Sequence, residues 1–124
     1  MGQYHKIANL DKKEFLHPHK FGDGLKLLEF GSSGCGTMTG LAILLACHNN
    51  RGGGDLSSTN PIIGSWAGDR IAVVGDYGNE PGDKCLGVYD QLDSEEWTDI
   101  SERVIEAMCE DAYLRQSFKE SGVI

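Results

Sequence analysis

The sequence predicts a single α+β domain spanning residues 1–124: a small antiparallel or mixed sheet, one buried helix and one amphipathic C-terminal helix. Three observations carry that prediction. Residues 3–17 set strand-forming Tyr4, Ile7, Phe15 and Leu16 on either side of a polar turn at 9–13, as a β-hairpin does. Met38 to Asn49 carries apolar residues on every side, the pattern of a helix buried at the centre of a domain. Trp97, Ile100, Val104, Ile105 and Met108 recur at helical spacing, with Glu102, Glu106, Glu110 and Asp111 on or near the opposite side.

Taken in order, the hairpin ends at Pro18, which cannot donate to a strand ladder. After the turn Gly22-Asp23-Gly24, Leu25 to Phe30 reads as a short strand, with one helical turn as the alternative. The glycine-serine loop 31–37 leads into the helix 38–49. Ser33 or Thr37 can cap its start, and Asn49 or Asn50 can take the left-handed backbone that stops it. Residues 50–69 form a long irregular segment, of the kind that is usually either functional or disordered, and Ile62, Ile63 and Trp66 argue that this one is anchored. Residues 70–77 form a strand, expected to be the best buried, and 85–89 pair back on it. Asp93 and Glu96 form a capping-box-like start for a helix over 95–112, and Leu114 and Phe118 extend it or begin another. Residues 120–124 are expected to fray.

Seventeen glycines are roughly twice the usual share, and without a collagen-like period they mark loops and tight turns. Net charge is −8 and uneven: residues 1–62 carry six Lys/Arg against five Asp/Glu (+1), and residues 63–124 carry five against fourteen (−9). That balance argues against direct nucleic-acid binding, which needs a positive footprint. The cysteines at 35, 47, 85 and 109 form no C-x-x-C pair and no signal peptide is evident, so a reducing, cytoplasmic setting is expected. The longest apolar run, Leu41 to Cys47, is too short to span a bilayer, and Lys6 spoils a myristoylation signal at Gly2, so no membrane association is expected.

Several motifs fail on inspection. Gly31-x-x-x-x-Gly36-Thr37 has the glycine spacing of a phosphate-binding loop but lacks its lysine. Thr39 stands where a dinucleotide fingerprint beginning at Gly34 needs glycine. No Ser stands at the centre of a nucleophile elbow; Cys35, in a glycine loop near a helix start, is the one candidate nucleophile. His17 and His19 share a strand face, but no third ligand stands at a diagnostic spacing, so neither a metal nor a cofactor is expected. Asp69 and Asp76 bracket the strand and lie roughly 23 Å apart if it is extended, too far for a carboxylate pair.

What survives is an anion-binding reading. Ser33, Gly34, Gly36 and Thr37 offer backbone N–H groups at a helix start, and Gly52, Gly53 and Gly54 offer others between Arg51 and Asp55. Arg51 and Arg70 can hold a phosphate or carboxylate, and Trp66 and Tyr77 can stack on a planar ring. Asp69 can fix Arg70 or a turn, and Asp76 can end the strand or touch the ligand. Trp66 divides between that site and the core.

The segments MGQYHKIANLDKKEF, HPHKFGDGLKLLEFG, RGGGD, GSWAGDRI and GDY together resemble a widespread family of small uncharacterised proteins from bacteria and phages. The resemblance covers residues 1–78 and carries no catalytic residue over. It implies a phage-like accessory or anti-defence context. From the loop N–H groups, Arg51, Arg70, Trp66 and Tyr77, the expected function is non-enzymatic binding of a small anionic or nucleotide-like ligand. One alternative is an acidic inhibitor that docks Glu102, Glu106 and Glu110 on a host protein, such as a nucleic-acid-handling enzyme. The other is a small hydrolase or transferase using Asp76, a histidine or Cys35. A homo-oligomer is compatible with each.

Overall fold

A computed structural model describes residues 2–124. The hairpin forms as expected, with β1 at His5–Asn9 and β2 at Glu14–Leu16 paired antiparallel. Asn9 accounts for the tight turn: its side-chain oxygen accepts the N–H groups of Asp11 and Lys12 at 2.9 Å each. A 3₁₀ turn at Pro18–Phe21 follows, with proline at its first position, where a missing N–H costs nothing.

Leu27–Gly31 is a helix, α1, and not the strand favoured above. A short apolar run does not by itself distinguish the two states. Here Glu29 turns back to accept the Lys26 N–H at 2.9 Å and fixes the first turn. The buried helix α2 spans Thr37–Leu45 and stops four residues short of Asn49. It stops because Gly64 and Trp66 donate their backbone N–H groups to the carbonyls of Ile43 and Leu44, satisfying helix-end acceptors from outside.

Strand β3, Ile71–Gly75, pairs antiparallel with β1 in unbroken register from His5–Gly75 to Asn9–Ile71. It is not the best-buried strand. The sheet order is β3-β1-β2-β4, which leaves β3 on an edge and makes β1 the most buried. Residues 85–89 do not pair back on β3. They pass through turns into a short helix, α3, at Val88–Gln91. The single helix expected over 95–112 is in fact a two-residue strand, β4 at Thr98–Asp99, then α4 at Ser101–Met108 and α5 at Ala112–Ser121. Asp93 and Glu96 start no helix. The amphipathic period holds from Ile100 onward, and Trp97 belongs to a different core.

The sheet is mixed, since β4 lies parallel to β2, and it is covered on both faces. Ile7 and Leu16 face a large core shared with Phe21, Phe30, Leu44, Trp66, Val104, Met108 and Phe118. Ala8, Phe15 and Val74 face a smaller one closed by Leu92 and Trp97. Helices α2 and α4 approach closely at Gly40, where a Cβ would stand 3.1 Å from Val104 and 3.0 Å from Phe21. Lys6 is buried on the smaller-core side, its ammonium 4.9 Å from the Tyr89 ring centroid and 5.8 Å from that of Phe15. Among the described residues, no helix is long and apolar enough to cross a membrane.

Candidate functional site

The residues expected to hold an anion fall in four separate places. Ser33 to Thr37 lie at the start of α2, and the backbone there does hold an anion. It is the chain's own Asp23, whose carboxylate accepts the Thr37 N–H at 2.8 Å and its hydroxyl at 2.6 Å. Ser33 Oγ takes the Met38 N–H at 3.2 Å. A Cβ on Gly36 would stand 2.5 Å from the Asp23 carboxylate, so the glycine makes room for that carboxylate. The sequence signal for Asp23 was present in Gly22-Asp23-Gly24, but its partner lies 14 residues away.

Arg51 and Asp55 close an exposed loop through the Asp55 carboxylate and the Arg51 backbone N–H at 2.9 Å. Gly52 and Gly54 supply its positive φ values of 136° and 93°, and Gly53 between them faces open space. Asp69 and Arg70 serve the β1–β2 turn. Asp69 takes the Asn9 amide and the Lys12 ammonium, while Arg70 pairs with Asp11 at 2.8 Å. Those contacts hold both aspartates below the ordinary carboxylate pKa: for Asp11 the Arg70 backbone N–H leads, for Asp69 the Lys12 ammonium. Asp76 stands at the other end of β3, accepting the Tyr4 N–H at 2.9 Å, next to exposed Tyr77. Trp66 is fully buried in the main core, with its indole N–H donated to Glu14 at 2.8 Å, so it faces the core and no ligand.

Groups suited to catalysis are likewise scattered. Cys35 is half-buried in the 31–37 loop, and among the described residues no hydrogen bond engages its thiol. The His17 and His19 rings lie 5.5 Å apart, and His17 Nδ1 is buried without a hydrogen-bond partner. Burial, aided by the positive charge of Lys6, lowers the His17 pKa and favours the neutral ring. Burial also opposes the charge of Asp99, but the bonds from Lys20 and Ser101 outweigh it and lower its pKa. Among the described residues no three His, Cys, Asp or Glu side chains gather as a metal site. Glu102, Glu106 and Glu110 are exposed on α4 and just beyond it, and Glu110 accepts the Ser58 hydroxyl at 2.7 Å.

A groove of about 530 Å³ lies between α2, the 48–56 segment and the start of α5. Volumes of that order hold small organic ligands. Its floor is apolar, made of Ala42, Ile43, Ala46, Leu56, Ile63 and Leu114. Its polar lining includes Asp55 and Asp111 together with Thr39, His48 and Asn49. Asp111 is fixed as the N-cap of α5, accepting the Leu114 N–H at 3.0 Å. Tyr113 stands beside it with 74% of its surface exposed. The outer wall is held by Asn49, whose amide donates to the Leu56 and Ser58 carbonyls at 2.7 and 3.3 Å and whose oxygen accepts the Leu56 N–H at 2.9 Å. Asn49 thus pairs with residue 56 as a strand neighbour would, and the glycine loop bulges out between them. A second hollow, of about 620 Å³ near the chain end, mixes His19 and Lys20 with Glu102 and Glu106 around less apolar surface.

Of the expected site residues, Gly54 and Asp55 line the groove. Asn49, Leu56, Asp111 and Tyr113 were missed as site residues. They share no motif; the one signal was that Asn49 and Leu56 bracket the glycine loop. Set against known proteins, the chain matches no protein-family model, no curated protein and no solved structure.

Proposed function

We propose that the protein is a non-enzymatic binding protein whose ligand lies in the groove between α2, the 48–56 segment and α5. The observation that carries this reading is the pairing of an apolar floor with the two carboxylates Asp55 and Asp111. The floor gains by covering an apolar body, at about 25 cal/mol per Å² removed from water. Tyr113 offers an exposed flat ring beside it. The carboxylates favour a cationic or N–H-donating end.

This ligand class differs from the small anion expected from the glycine loops. The Thr37 and Met38 N–H groups at the start of α2 are already engaged by Asp23 and Ser33, and neither Arg51 nor Arg70 lines the groove.

Thermal unfolding with an arylalkylamine tests the reading. Phenethylamine is expected to raise Tm, and phenylacetate, similar in size but anionic, is not. Asp111→Asn keeps the cap and removes the charge, and Ala46→Trp fills the floor; each is expected to weaken the amine's effect. Equal stabilisation by amine and acid, or an undiminished response in Ala46→Trp, would overturn it.

A further inference from the structure

The free edge of the sheet carries an inference independent of the groove. Leu10 donates its N–H to the Arg70 carbonyl and Asp76 donates to the Tyr4 carbonyl, which fixes the residues of β3 that bond β1: 70, 72, 74 and 76. Alternation along an antiparallel ladder then turns the N–H and C=O of Ile71 and Val73, and the N–H of Gly75, outward. Gly75 C=O is taken by Gly78 N–H at 3.1 Å. Among the described residues nothing hydrogen-bonds the outward groups of Ile71 and Val73 or the Gly75 N–H. The strand, Ile-Ala-Val-Val-Gly, has no lysine, proline or bulge to blunt this edge, and Val73 is 45% exposed on it.

We propose that β3 pairs antiparallel with β3 of a second copy, about a two-fold axis at Val73, joining two four-stranded sheets into a continuous one. Charge selects both the occupant and the register. Outward-bonding residues must face one another, so with the axis at Val73 each Ile71 meets the partner's Gly75 and the two Val73 residues meet. Arg70 of each copy then faces Asp76 of the other, giving two opposite-charge pairs. Sliding either strand by two residues removes both. The Arg70 side chain is 75% exposed and reachable beyond its contact with Asp11. So short an edge falls below the roughly 800 Å² per partner of a stable interface, so the dimer dissociates on dilution.

Sedimentation velocity over a concentration series, paired with amide exchange, tests this. A reversible dimer is expected, with the Val73 and Gly75 amides slowing toward the rates of Ala72 and Val74 as dimer forms. Arg70→Glu and Asp76→Lys are each expected to weaken the dimer ~10-fold, and the double exchange to restore it. The double exchange does not rebuild the in-chain contacts to Asp11 and Tyr4, so recovery reads the pair between copies. A protein that stays monomeric at its highest soluble concentration, a dimer that leaves those two amides fast, or a double variant that stays as weak as the singles would overturn the proposal.

Discussion

The loops at 31–37 and 51–55 are both glycine-rich, and both resemble backbone cradles for an anion, yet they do different work. The first is tight: the Thr37 and Met38 N–H groups where it enters α2 are engaged by Asp23 and Ser33, and Gly36 has no room for a Cβ. The second is open: Gly52, Gly53 and Gly54 have nothing within 4 Å of a Cβ, and the loop is held from its base by Asn49. Glycine density therefore marks backbone geometry in both places. The candidate ligand surface is the apolar wall that the open loop flanks.

Substitutions can break this contrast in graded steps. Gly36→Ala is expected to cost the most, about 2 kcal/mol in chemical denaturation, because it displaces the Asp23 cap and strips the buried Thr37 hydroxyl of its partner. Asn49→Ala is expected to cost about 1 kcal/mol and to loosen the outer wall, read as faster amide exchange at Leu56. Gly53→Ala is expected to stay within about 0.5 kcal/mol of wild type, since its backbone is ordinary and its surroundings open. A Gly53→Ala variant as unstable as Gly36→Ala would erase the distinction between the loops.

The same contrast explains what the sequence made legible. The α+β class, the hairpin, the 71–75 strand and the buried helix α2 were readable because their signals are local: alternation, a polar turn and an unbroken apolar run. Leu27–Gly31 was misjudged because a five-residue apolar run suits either state. β4 was invisible because two residues carry no period, and Trp97 was assigned to the helix because its spacing from Ile100 fits one by coincidence. The rank of β3 was misjudged because sequence apolarity does not say whether a strand is central or on an edge. The groove was hidden for a further reason. Its walls come from α2, the 48–56 segment and α5, and their meeting is a tertiary fact without a local signature. Asp23, Asp69, Asp76 and Arg70 looked available because their partners, Thr37, Lys12, Tyr4 and Asp11, lie between 14 and 72 residues away.

The most direct test is a pair of NMR titrations of the wild-type protein, one with phenethylamine and one with pyrophosphate. The amine is expected to move the amides of Ala46, Asn49, Leu56 and Leu114 saturably, and pyrophosphate to leave Gly34 to Thr37 and Gly52 to Gly54 where they are. Saturable pyrophosphate shifts at either glycine loop, with the groove amides unmoved by the amine, would contradict both expectations.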